Sequence, residues 1–281
     1  MPESHDPDSV DTVPRDSAYR EDAHQKGAHQ KGAHRKGGRS KSVPPGAAAR
    51  KGAPRNALAE QAFSRVRDLI VSGRLAPGAP IIETEIAASL GIQRSHLRLA
   101  LQRLHHAGFV VTSTIDTYSR TRVAPLTAAD VHDLFGIVGA VEGLAARSAA
   151  LLPDDRRRSL VDELIRLNVE LWEAAQSAPA DINRVNDLDV AFHRRYVDSA
   201  SPPRVRALHD SVKPQADRYE RLYTSTLLNE IALSVAEHES IIEATSAGSP
   251  DAAQRSVETN WRNAADRFSR VIAMAGERGR L

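Results

Sequence analysis

The sequence contains no cysteine, which excludes disulfides, thiolate metal sites and cysteine nucleophiles. Aromatic residues are scarce, at 4% against 41% hydrophobic overall. A core drawn mainly from Leu, Ile, Val and Ala suits packed helices better than a sandwich of strands. No apolar run approaches the ~18 residues needed to cross a bilayer, and the acidic opening lacks a signal-peptide pattern. A soluble cytoplasmic protein with no membrane partner is expected. There is no His-Glu-x-x-His motif and no glycine-rich phosphate loop, so nothing in the chain marks an enzyme.

The 281 residues are enough for two modest domains and additional segments. Net charge is only +2, but it is unevenly spread. Residues 1–22 lean acidic, whereas residues 23–55 hold Lys and Arg with no Asp or Glu. A five-residue repeat lies there: AHQKG at 23–27 and again at 28–32, then AHRKG at 33–37. Residues 1–55 carry too few large apolar side chains to offset their ordering entropy, which predicts a disordered basic tail. Such a tail either makes loose phosphate contacts on DNA or is a tolerated low-complexity segment.

Residues 56–125 read as a winged helix-turn-helix. Phe63, Val66 and Ile70 share one helix face. Gly73 ends that helix, and Leu75-Ala76-Pro77-Gly78 forms a turn. A short helix with Glu83 and Thr84 at its start buries Ile82, Ile86 and Leu90 before Gly91 breaks it. The next helix starts at Arg94 and runs to about Ala107. It presents Leu97, Ala100, Leu101 and Leu104 inward, and Arg94, Ser95, His96, Arg98, Gln102 and Arg103 outward. Phe109-Val110-Val111 and Arg120-Thr121-Arg122-Val123 then read as two strands joined by a polar loop.

Residues 126–275 read as six helices with short links, an antiparallel bundle, followed by a tail at 276–281. Thr127 is the expected N-cap of the first, which carries Val131, Leu134, Val138, Val141 and Ala145. Pro153-Asp154 and Pro202-Pro203 open the second and fourth, and residues 182–199 form the third. Pro214 is expected to kink or interrupt the fourth. The fifth spans about residues 228–247 and the last 251–275, with Gly248-Ser249-Pro250 between them.

Polar residues interrupt the apolar stripes of this bundle. Val185, Asp189, Phe192 and Tyr196 share a face, with His193 one turn beyond Asp189. His238 falls among Ile231, Val235 and Ile242, and Asn260 among Val257, Ala264 and Phe268. A buried carboxylate is costly unless paired or metal-bound. Asp and His at i, i+4 can chelate one ion, or belong to a hydrogen-bonded cluster without metal.

From Phe63 to Pro125 the chain resembles the DNA-binding domain of the GntR family. The matching stretches are Ile70 to Gly78, Glu83 to Gly91, Arg94-Ser95-His96-Leu97-Arg98, Ala100 to Leu104 and Gly108-Phe109-Val110. The resemblance implies operator contacts from Arg94, Ser95, His96 and Arg98. Thr84, Arg103, Arg120 and Arg122 complete the expected DNA-facing set. Leu99 stands where the family usually has an acid, and the wing tip Asp116-Thr117-Tyr118-Ser119 lacks the usual glycine.

Residues from Thr127 to Val271 resemble the FCD effector-binding domain of that family's FadR branch, through Asp189-Val190-Ala191-Phe192-His193 and Glu237-His238-Glu239-Ser240-Ile241-Ile242. That likeness implies a divalent metal, zinc or nickel, held by Asp189, His193, His238 and, in place of a third histidine, Asn260. A small carboxylate effector would sit beside it, with Glu142, Val138, Tyr196 and Arg218 as the candidate contacts. Val138 replaces an arginine found in many relatives. The implied function is a mainly α-helical, homodimeric transcriptional repressor on double-stranded, palindromic DNA, modulated by a small molecule. An effector-independent DNA-binding dimer with a purely structural bundle is the alternative. A metal enzyme built on Asp189, His193 and His238 is a weaker one, since no motif supplies a general base.

Overall fold

A computed structural model of the chain describes residues 55–115 and 118–279. The histidine-lysine repeat lies outside the described residues. Helix α1 (Arg55–Val71) is followed by α2 (Glu83–Leu90) and α3 (Arg94–His106). Between α2 and α3 the chain turns at Gly91, whose φ of 62° is left-handed and disfavours any residue with a Cβ. Strands β1 (Val110–Ile115) and β2 (Tyr118–Val123) pair antiparallel, with Val110 opposite Val123. The helix stripes read from the sequence meet here in one small core of Val66, Ile70, Ile86, Leu97, Leu104 and Phe109. Truncating a fully buried member such as Leu97 to Ala would cost about 2–5 kcal/mol.

A second, larger core belongs to six helices: α4 (Ala128–Ala150), α5 (Asp154–Gln176), α6 (Ile182–Ala200), α7 (Pro203–Leu227), α8 (Ile231–Ser246) and α9 (Pro250–Ala275). Their starts follow local chemistry. The Thr127 hydroxyl accepts the amide of Asp130 at 3.1 Å, and the Asp181 carboxylate accepts that of Arg184 at 3.1 Å. Proline occupies the first turn of α7 and α9, where its missing N–H costs nothing. Helix α4 is central, packing along α9 and against α6, α7 and α8. No described helix is long and apolar enough to cross a membrane.

Four details differ from the sequence reading. Ile82, expected on the buried stripe of α2, is that helix's N-cap and stands 45% exposed. Helix α7 runs through Pro214 without interruption. One ladder hydrogen bond is lost there, but burial of Lys213, Ala216 and Tyr219 around it holds the helix together. The fifth bundle helix begins with a short 3₁₀ turn, Leu228–Glu230. On α4 the fully buried residue is Glu142 rather than Val141, because positions 138, 142, 145 and 149 share the inward stripe. The C-terminal residues also dock: Leu126 and Arg278 exchange two backbone hydrogen bonds of 2.9 and 3.2 Å.

Candidate nucleic-acid interface and metal centre

Helices α2 and α3 form the helix-turn-helix, and the outward face of α3 opens with Arg94, Ser95 and Arg98, all exposed. The Glu83 carboxylate, at the start of α2, accepts the Nε–H of Arg98 at 2.8 Å and lies 3.7 Å from Arg94 Nη2. One acid therefore orients both arginines of the face. The N-caps of α2 and α3 are Ile82 and Gln93, and neither side chain caps its helix. Their first amides remain available to acceptors such as phosphate oxygens. Thr84 is exposed beside the α2 amides.

Three expected DNA contacts are placed otherwise. His96 is only 7% exposed, turned inward with Ala100 and Leu104 at four-residue spacing. Arg103 faces α1, where it donates to Glu60 at 2.5 Å and lies 4.6 Å from the Phe63 ring centre. Arg122 is half-buried and donates to the Gly78 carbonyl at 2.9 Å, bracing the turn before α2. Arg120 is exposed on β2, and residues 116 and 117 of the wing tip lie outside the described residues.

In the bundle, Asp189 and His193 of α6 meet His238 of α8, with one ligand-type atom from each lying within 4.8 Å of the others. The surroundings fix both imidazoles. Asn168 donates its amide to the Val235 carbonyl at 3.1 Å, so its oxygen accepts from His238 Nδ1, 3.0 Å away. His238 stacks on Phe192 at 3.9 Å with 9° between the rings. Its Nε2 is then an unprotonated lone pair, fully buried, with no hydrogen-bond partner among the described residues and Asp189 Oδ1 3.6 Å away. Burial, with His193 and Arg267 nearby, pushes the His238 pKa well below the usual histidine value and keeps the ring neutral.

Glu142 orients the other imidazole. Its carboxylate is fully buried and accepts four hydrogen bonds: His193 Nδ1–H at 2.7 Å, Tyr196 O–H at 2.6 Å, Trp261 Nε1–H at 2.9 Å and His209 Nε2–H at 2.9 Å. Burial opposes its charge, but His193 and His209 outweigh that and hold it well below the usual carboxylate range. His193 rises in turn, since Glu142 more than offsets the burial that disfavours its charge. With Nδ1 committed, Nε2 is the nitrogen His193 can offer to an ion. Two such imidazoles and a carboxylate suit zinc, nickel and other divalent transition metals, and hydrogen bonds to the rings' other nitrogens are what such sites need. The residues present therefore fit a divalent ion. Asn260 donates to Glu237 at 2.9 Å, which leaves its amide oxygen as its free acceptor.

A cavity of about 60 Å³ adjoins the cluster, bounded by Asp189, His193, Glu220, Asn260, Trp261 and Arg267 among others. None of the four expected effector contacts is among its lining residues. Val138 and Tyr196 are fully buried, Glu142 is saturated by its donors, and Arg218 donates to the Ala124 carbonyl at 2.5 Å, next to the winged unit. Sequence spacing told which residues point inward, not which partner each meets. His209, Lys213, Glu220 and Arg267 were missed. The first three lie with Ala216 on one inward stripe of α7, a signal the sequence did contain. Arg267 forms a two-pronged pair with Glu237, each contact 2.8 Å.

A winged helix-turn-helix joined to a helical bundle with an internal ligand-type cluster is the architecture of a DNA-binding regulator. Residues 58–114 match the model of bacterial regulatory proteins of the gntR family, and residues 133–263 match the FCD domain. The chain belongs to the GntR family of transcriptional regulators and carries an FCD domain. It is 28% identical over 218 residues to an "Uncharacterized HTH-type transcriptional regulator in unstable DNA locus" of Streptomyces ambofaciens, covering 76% of this chain and 86% of that one. It is 40% identical over 91 residues to the "Probable D-xylose utilization operon transcriptional repressor" of Paenarthrobacter nicotinovorans, covering 31% of this chain and 39% of that one. Its fold is like that of E. coli McbR/YncC, with a TM-score of 0.59 at 16% identity over 76% of this chain and 98% of that one.

Proposed function

We propose that the chain acts as a homodimeric repressor in the cytoplasm, binding a palindromic operator through α3 and releasing or holding it according to a small molecule in the bundle. A single winged unit spans only a half-site, so two-fold symmetry is expected of protein and operator alike. Ile137 and Leu144 stand exposed at seven-residue spacing along α4, with exposed Leu151 at its C-cap, which supports a helix-to-helix contact between two copies. Repression is supported by the printed name of the Paenarthrobacter relative. Arg94, Ser95, Arg98 and Thr84 are the operator contacts in this reading, with Arg120 on the wing.

The observation that carries the sensing half is the buried, partnerless Nε2 of His238 facing Asp189. A divalent ion held by Asp189, His193 and His238, with the Asn260 oxygen in reach of the same cavity, satisfies that lone pair. Val138 is apolar and Arg267 is committed to Glu237, so a carboxylate effector would have to be held through the ion. Glu142 and Tyr196 act behind the ligands, by orienting His193.

Calorimetry of the full chain with zinc and nickel, followed by metal analysis of the dialysed protein, tests this. One ion per chain is expected, with the ion lost in Asp189→Ala. Retention of no ion by the wild type, together with unchanged operator affinity in the presence of metal, favours instead a DNA-binding dimer whose bundle is purely structural.

A further inference from the structure

Helix α7 touches both halves of the molecule at once. Its Glu220, Thr224 and Leu227 line the cavity beside the metal-ligand cluster. Earlier on the same helix, the Gln215 side chain donates to the Ala107 carbonyl at 2.7 Å, and Ala107 is the C-cap of α3. Helix ends leave carbonyls without partners, and here a side chain of the bundle supplies one for the helix assigned to DNA reading. Three residues on, Arg218, only 5% exposed, donates to the Ala124 carbonyl, just past the end of β2. Gln215 and Arg218 thus hold the two exits of the winged unit: the end of α3 and the end of the hairpin. The fit at Ala107 is close, since a Cβ at the neighbouring Gly108 would lie 2.9 Å from the Gln215 oxygen.

We propose that α7 is the element that couples the cavity to the DNA-reading unit, with Gln215 and Arg218 as the two coupling residues. The proposal rests on the reading of that cavity as the ligand site. All five residues lie on the C-terminal side of Pro214, in one uninterrupted run of helix. From Gln215 to Leu227 that run is about 18 Å long at 1.5 Å per residue. A stiff rod of this length transmits a displacement without a chain of intermediates. Ligand entry that moves Glu220 or Thr224 must move Gln215 and Arg218, and with them the orientation of α3. On the other side of Pro214, His209 ties α7 to Glu142 and so to His193, a second hold on the cluster. Coupling of this kind is reciprocal, so operator binding must also be felt at the cavity.

The test uses the full chain, an operator chosen from a randomised library, and zinc as the probe. Hydrogen exchange of the amides at 220–227 is measured with and without operator. Wild type is expected to change its protection there on operator binding. The Gln215→Ala/Arg218→Met double variant is expected to bind operator without that change. In parallel, zinc is expected to shift wild-type operator affinity by about fivefold or more, and that of the double variant by less than about twofold, with zinc affinity itself unchanged. Gln215→Ala alone, which keeps the buried arginine, serves if the double variant does not fold, and is expected to lose part of the shift. Unaltered exchange at 220–227 in operator-bound wild type, or a full zinc response in variants that still fold, overturns the proposal. Failure of wild type to bind zinc counts against the metal site alone, because the exchange measurement still decides the role of α7.

Discussion

Asn168 and His238 share a 3.0 Å hydrogen bond that decides which nitrogen of the imidazole faces the cluster. Asn168 is itself fixed by its bond to the Val235 carbonyl. Substituting Asn168 by Leu should leave His238 free to change tautomer and weaken zinc binding about 10- to 100-fold, as loss of such outer contacts commonly does. Calorimetry measures this, and Asn168→Asp, which retains an acceptor, should recover most of the affinity.

Glu142 is fully buried and accepts four hydrogen bonds from α6, α7 and α9. Glu142→Leu would leave those donors unpaired and His193 without its counter-charge. Loss of one partner from a buried charged network costs about 3–5 kcal/mol. A urea unfolding midpoint indistinguishable from wild type would show that the network contributes nothing.

Glu220 lies buried beside Lys213, whose ammonium contacts both its oxygens at 3.0 and 3.2 Å. Burial pushes the Glu220 carboxyl up to about 7, with Asp217 and Asp189 adding to the rise and Lys213 opposing it. A carboxyl raised from 4.5 gives the folded state a proton that the unfolded state lacks between those values. Its stabilising contribution is therefore complete below about 4.5 and lost as pH rises through about 7. The stability of wild type relative to Glu220→Gln should fall across that window by at most about 1.4 kcal/mol per pH unit. Denaturation at a series of pH values tests the sign.

Gly108 has a φ of 75° and sits under Gln215. Gly108→Ala adds a left-handed residue with a side chain, at about 1–2 kcal/mol, and pushes on the Gln215 amide. Lower thermal stability is expected, together with weaker operator binding, since the same contact holds the end of α3.

The arginines of the winged unit should separate by role. Arg94→Ala is expected to weaken operator binding by about 1–3 kcal/mol, while binding to random DNA changes little. Arg103→Ala removes the contact with Glu60 and Phe63, and should alter stability more than sequence preference. A gel-shift comparison on operator and competitor DNA distinguishes the two.

Much of this organisation was legible beforehand. Apolar spacing located most of the helices to within a residue or two, because each stripe is a local consequence of 3.6-residue periodicity. Asp189, His193 and His238 came together as read, since two share one helix and the third interrupts an otherwise apolar stripe. What was not legible is which partner a buried polar group finds. Glu142 meets donors 51 to 119 residues away, and nothing at position 142 announces them. Arg218 reads as a candidate ligand contact but is spent on the Ala124 carbonyl. His96 sits in a polar run, yet its spacing to Ala100 and Leu104 turns it inward.

The most direct measurement is selection of bound duplexes from a randomised library by the purified chain, alongside a variant with Arg94 and Ser95 both changed to Ala. If the start of α3 enters the major groove, wild type enriches a two-fold symmetric sequence, and the variant loses that preference while retaining salt-sensitive binding to any DNA. Recovery of the same sequence by both proteins, or of none by either, contradicts the placement of DNA reading on α3.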